Sequence, residues 1–106
     1  MLKQAHINVK GDVIGVGFRA WVKIQLKSTG VTGWVRNVFN KPDVFGPHGG
    51  VEVVIQGEDR ALNDAIDHIQ SGSPISRVDD VDVRFEDPKE VFREFTIYKS
   101  EAYINE

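Results

Sequence analysis

The sequence predicts an α+β sandwich, an antiparallel sheet with two helices on one face, in the order βαββαβ with an additional short C-terminal strand. Three observations carry this. Two segments place apolar residues at helical spacing, several others alternate or run apolar over strand length, and Gly- and Pro-rich breaks separate them. The chain has 106 residues, 41% hydrophobic and 27% charged, the profile of one globular domain and not of a disordered chain.

Residues 4–10 alternate, with Ala5, Ile7 and Val9 on one face and His6 and Asn8 on the other, as in a half-buried strand. Gly11–Gly17 (GDVIGVG) is a glycine-punctuated turn. A helix is expected from about Phe18 to Thr29, with Phe18, Trp21, Val22 and Leu26 along one core-facing stripe and Gly30 at its stop. Val31–Asn37 reads as the second strand and Val51–Gln56 as the third. The segment between them, 38–50, is rich in Gly, Pro, Asn and Asp and is expected to be irregular, holding no core residue. The second helix begins at the acidic turn Glu58-Asp59, carries Ala61, Leu62, Ala65, Ile66 and Ile69 on one stripe, and ends at Gly72. Residues 77–86 alternate again, Val81, Val83 and Phe85 against Asp80, Asp82, Arg84 and Glu86, and Pro88 breaks the run. Glu94–Tyr98 is the last short strand. One domain is expected over 1–99, with 100–106 a loosely held tail. This order is the ferredoxin-like, split βαβ arrangement, which hosts enzymes, RNA-binding and metal-binding modules alike, so function must be argued from a site.

Composition narrows the classes. No apolar run approaches the roughly 20 residues that span a bilayer, and residues 1–10 lack the apolar centre of a signal peptide. There is no cysteine, hence no disulfide, thiol nucleophile or zinc–thiolate site, and a cytoplasmic location is expected. With 13 Lys+Arg against 16 Asp+Glu the net charge is −3, and no basic surplus favours nucleic acid. An anion must therefore be held locally, by a few aimed groups.

Such groups stand between the first strand and the first helix. In G-D-V-I-G-V-G-F-R, successive backbone N–H groups of a glycine-rich turn can converge on an anion, and the helix start adds unpaired N–H groups and a positive dipole end. Arg19 adds a planar donor fork matched to two phosphate oxygens. No Gly-Lys-Ser/Thr follows, so this is not a nucleotide P-loop, and the glycine spacing is not that of a dinucleotide fingerprint. Taken alone, the loop reads more readily as a plain connector with a solvated arginine. The second motif is G-W-V-R-N (33–37), where Asn37 shares a strand face with Val35 and Gly33. Its amide offers a donor and an acceptor, which suits orienting a water molecule, although a turn residue at a strand end looks the same.

Together these motifs resemble the acylphosphatase family. V-I-G-V-G-F-R (13–19) is similar to that family's loop V-Q-G-V-x-F-R, and G-W-V-R-N (33–37) to its second motif. V-E-V-V-I-Q-G (51–57), R-V-D-D-V-D-V (77–83) and F-R-E-F-T-I (92–97) resemble its later strands, so the likeness runs in order over residues 4–99. It implies hydrolysis of acyl phosphates to a carboxylate and orthophosphate, with no metal or other cofactor. Arg19 would bind the phosphoryl group, Asn37 would place the water, and the backbone of Ile14, Gly15, Val16, Gly17 and Phe18 would complete the cradle. The implied partners are a small acyl phosphate and inorganic phosphate, with no nucleic acid or membrane, and the expected unit is a monomer. A non-catalytic ferredoxin-like module holding a phosphorylated ligand or a protein partner is the alternative. Ile14 stands where the family motif has Gln. The 38–50 segment is longer than the family's tight turn, and Phe39 and Phe45 within it could cover the site or form an interaction surface.

The chemistry asks for little more. A carboxylate leaving group, with a conjugate-acid pKa of about 4, departs unprotonated, so no general acid is needed. Competing residues are weak. His6 and His68 lack partners at ligand spacing, and His48 would serve only if the loop brought it to Asn37. Residues 79, 80 and 82 read as a solvated acidic face, and Phe18 and Trp21 as core. An RNA-recognition module would need aromatics on the third strand, where there are none.

Overall fold

In the computed structural model, which describes residues 1–100, the elements are β1 (Lys3–Asp12), α1 (Phe18–Lys27), β2 (Thr32–Val38), α2 (Pro42–Phe45), β3 (Gly50–Gly57), α3 (Asp59–Ser71), β4 (Arg77–Glu86) and β5 (Phe95–Ile97). They form one five-stranded sheet in the order β4-β1-β3-β2-β5. Among the described residues no helix is long and apolar enough to cross a membrane.

Strand alternation sorts the side chains. Ala5, Ile7 and Val9 of β1, Val35 of β2 and Val51, Val53 and Ile55 of β3 are buried beneath Phe18, Val22 and Leu26 of α1 and Leu62, Ala65, Ile66 and Ile69 of α3. The helical stripes are thus the predicted ones. The first helix stops at Lys27, short of Thr29, because the Thr29 N–H and Oγ1 both turn back to the Leu26 carbonyl, at 3.0 and 2.6 Å. Gly33 is obligatory inside β2: at φ 144° a Cβ there would lie 1.9 Å from the Val54 carbonyl oxygen.

Two expectations about the sheet and its long connection are corrected. The sheet is not wholly antiparallel, since β5 pairs parallel to β2, with Gly33 opposite Phe95 and Val35 opposite Ile97. The reason is topological. β4 ends at one edge, next to the start of β1, and the chain must cross to the other edge before β5 can form. Buried Gln56 clasps that crossing: its Nε2 donates to the Glu90 carbonyl (2.6 Å) and its Oε1 accepts from the Phe92 N–H (2.9 Å). The chain therefore arrives running in the same direction as β2. Secondly, segment 38–50 is neither wholly irregular nor free of buried apolar residues. Pro42, suited to a first helical position, starts the single turn α2, and Val38 and Phe45 are buried.

The opposite face of the sheet is polar. Glu52 of β3, buried between strands, accepts from Arg36 Nε (2.7 Å) and is hydrogen-bonded to His6 Nε2. Burial pushes the Glu52 carboxyl up, but the hydrogen bonds and charges of His6 and Arg36 outweigh it and hold the group below the ordinary carboxylate range. Arg36 also lies over the Trp34 ring, 5.2 Å from its centroid, and Trp34 stacks on Tyr98 at 5.3 Å.

Candidate active site

β1 and α1 are joined by the turn 13–17, in which Gly15 (φ 81°) and Gly17 (φ 73°) take left-handed conformations that other residues avoid. Gly17 is the cap residue of α1. No side chain caps the helix and no acidic residue sits in its first turn. Since the first bond inward is Trp21 N–H to the Gly17 carbonyl (3.0 Å), the N–H groups of the preceding residues have no intrahelical acceptor. The helix start thus presents unpaired donors and a positive dipole end beside the turn.

β2 delivers the other half. Asn37 follows Val35 on the helix-facing side, opposite Val51, and is only 6% exposed. Its side chain and that of Arg19 line one cavity of about 370 Å³, together with Ile14, Gly15, Gly17 and Phe18 of the turn and helix start. Val16 does not line it; its side chain packs against the apolar core. Arg19 is the single charged side chain lining the cavity among the described residues, so a chain of net charge −3 is locally cationic here.

Both polar residues are held from the C-terminal side. Arg19 Nη1 donates to the Tyr98 carbonyl at 2.8 Å, and Asn37 Nδ2 donates to Ser100 Oγ at 3.2 Å. The parallel register explains this: with Ile97 beside Val35, the chain continues alongside Asn37, pinned by Tyr98 N–H to the Val35 carbonyl (2.8 Å). Ser100, expected in a loose tail, lines the cavity instead; residues 101–106 lie outside the described residues. Ile97 and Ser100 escaped the sequence reading because only the direction of β5 brings them here. Among the described residues Arg19 commits one donor, Nη1, to the Tyr98 carbonyl, out of the five a guanidinium carries.

The remaining candidates lie elsewhere. His48 lines a separate cavity with Gly11, Asp12, Ile14 and Arg77, not the one that holds Asn37. Asp79 pairs with Arg77 at 2.9 Å. A cavity between the end of α1 and α3 is lined by Asp64, Asp67 and His68 among others, a setting unsuited to an anion. Among the described residues no three His, Asp or Glu side chains gather as metal ligands do.

Fold and site define a ferredoxin-like α+β domain with a glycine turn, an arginine and an asparagine gathered at one end of its sheet. The chain belongs to the acylphosphatase family, whose profile matches residues 5–97. It is 37% identical over 95 residues to an acylphosphatase of Syntrophobacter fumaroxidans, covering 90% of each chain. To an acylphosphatase of a Roseiflexus species it is 38% identical over 96 residues, 91% of this chain and 95% of the relative. The crystal structure of acylphosphatase from Bacillus subtilis superposes with a TM-score of 0.75 at 32% identity, covering 92% of this chain and 99% of that one. The protein is accordingly an acylphosphatase, a hydrolase of carboxyl-phosphate mixed anhydrides that releases a carboxylate and orthophosphate.

Proposed function

We propose that Arg19 and the backbone N–H groups of residues 14–18 hold the phosphoryl group and that Asn37 orients the attacking water. The observation that carries this reading is the convergence of Arg19 and Asn37, from different elements, on the one cavity that the glycine turn also lines. Phosphoryl transfer to water passes through a loose transition state, so catalysis is mostly positioning and neutralisation of charge on the phosphoryl oxygens. A planar fork and aimed N–H groups supply the second, and a buried amide supplies the first. The carboxylate leaves without a proton, and a phosphoryl oxygen can accept the proton of the water, which makes a separate base unnecessary.

No metal or cofactor enters this scheme. The working unit in this reading is a monomer, and Ser100, which lines the cavity, extends it by one residue beyond 1–99. A net charge of −3 does not favour nucleic acid, and a chain without cysteine suits the cytoplasm.

The test is orthophosphate release from acetyl phosphate, with orthophosphate as competitive inhibitor. Arg19→Ala should lose over a hundredfold in kcat/KM, about 3 kcal/mol, and lose phosphate inhibition with it. Arg19→Lys should do nearly as badly, since a point charge does not replace the fork. Asn37→Ala should keep phosphate affinity while kcat falls by ~10²–10³. Equal loss of phosphate affinity in both alanine variants would move Asn37 into the cradle, and an unchanged kcat would remove it from the reaction.

A further inference from the structure

The phosphoryl group does not fill the cavity. Orthophosphate occupies roughly 150 Å³ when each of its five heavy atoms is given the share of about 30 Å³ that a water takes in the liquid, against about 370 Å³ available. The rest is bounded by apolar side chains from three separate segments: Ile14 of the glycine turn, Phe39 just after β2, and Ile97 of β5. Phe39 and Ile97 are 36% and 38% exposed, large apolar groups that line the site and also meet solvent.

Their placement is fixed by the backbone. Phe39 follows Val38, the buried last residue of β2, and Ile97 is registered against Val35 by the parallel β2–β5 pairing. Ile14 and Phe39 converge over Gly49: a Cβ at Gly49 would stand 3.1 Å from Ile14 Cδ1 and 3.5 Å from Phe39 Cδ1. Gly49 itself is left-handed (φ 78°). The long connection between β2 and β3 therefore brings an aromatic ring against the residue that replaces the glutamine of the family loop. Because Arg19 is the single charge lining the cavity among the described residues, nothing there would pair a second carboxylate or an ammonium on the substrate.

We propose that Phe39, Ile97 and Ile14 form a wall for the acyl group, and that the substrates favoured are acyl phosphates whose acyl part is apolar and of ring or branched-chain size. This rests on the phosphoryl group lying at Arg19 and the turn 14–18. Apolar groups in an enclosed pocket are discriminated by ten- to two-hundredfold per methylene-sized difference; a one-sided, partly exposed wall should give about tenfold for a whole ring.

Phenylphosphonate and methylphosphonate share an anionic head, differ in the group they carry, and do not turn over. Their dissociation constants are measured by calorimetry on the full chain, the Phe39→Ala and Phe39→Leu variants, and Ile97→Thr. Comparing the methyl/phenyl ratio between variants cancels intrinsic differences in acidity. The full chain should bind phenylphosphonate about tenfold more tightly. The ratio should fall to twofold or less in Phe39→Ala and lie between in Phe39→Leu and Ile97→Thr. The ratio of kcat/KM for benzoyl over acetyl phosphate should move in parallel. A ratio near one in the full chain, or the same ratio in all four proteins, overturns the wall while leaving the phosphoryl site standing. If neither phosphonate binds, the phosphoryl placement itself falls, and the wall with it.

Discussion

Phe45→Ala measures how the connection between β2 and β3 is anchored. Phe45 ends the single turn α2, is 6% exposed, and its ring lies so close over Gly50 that a Cβ there would come within 2.3 Å of Cδ1. A helix of four residues does not stand by its own hydrogen bonds, so burial of this ring is what holds the turn. Truncating a core Phe costs about 3–5 kcal/mol. Phe45 lies outside the main apolar cluster, which puts the expected loss at the low end, about 3 kcal/mol. For a domain of this size each kcal/mol moves the midpoint by about 4–8 °C, so Tm should fall by about 12–24 °C. The assay is thermal and urea unfolding followed by circular dichroism, with Phe39→Ala alongside. Phe39 is 36% exposed and its truncation should cost less than about 1 kcal/mol. If the two variants unfold together, the ring is not an anchor. By the same logic, replacing 38–50 with a tight turn removes both Val38 and Phe45 and should cost at least as much as Phe45→Ala.

Three other outcomes follow from contacts already described. Glu52 is ionised more readily in the folded chain than in the unfolded one, so its contribution is present above the unfolded carboxylate pKa and is lost as pH falls through its lower folded value. Glu52→Gln should cost about 2 kcal/mol at neutral pH, and its Tm should decline less than that of the unsubstituted protein between pH 5 and pH 3, a range of about 2 units around the ordinary carboxylate value. Ser100→Ala removes one neutral hydrogen bond to Asn37 (3.2 Å), worth about 1 kcal/mol, so kcat should fall about fivefold in the parent and not at all in an Asn37→Ala background. A fivefold fall in both would make Ser100 a general structural support. Turnover of acetyl phosphate should persist in excess chelator, since Arg19 and backbone donors are read as the source of positive charge; loss restored by Mg²⁺ would refute the metal-free scheme.

Much of this was legible in the sequence because local periodicity and core burial agree. The stripe Phe18, Val22, Leu26 and the alternation Ala5, Ile7, Val9 are short-range patterns, and each is buried as spaced. Arg19 could be singled out because Gly15 and Gly17 beside it signal unusual backbone, and Asn37 because its amide can orient water and G-W-V-R-N resembles a family motif. What stayed hidden depends on long-range pairing. No local signal sets the direction of β5, so the arrival of Ile97 and Ser100 at the cavity could not be read. Nor does composition show that a Gly- and Pro-rich stretch ends on a buried Phe45: a single aromatic has no periodicity to reveal which way it turns.

The short β5 has a consequence for how the molecule behaves among its copies. Without it, β2 would present the N–H and C=O groups of an unpaired border, the template on which sheets of neighbouring chains join. β5 covers that border from Gly33 to Val35, where the Gly33 N–H donates to the Glu94 carbonyl and the Val35 carbonyl accepts from the Tyr98 N–H. The opposite border is guarded differently: β4 alternates Asp80, Asp82, Arg84 and Glu86 along its exposed side, charges that disfavour stacking against another copy. The three residues of β5 therefore serve solubility as well as the site they lead to, and cutting the chain before Phe95 should show itself first as turbidity on concentration.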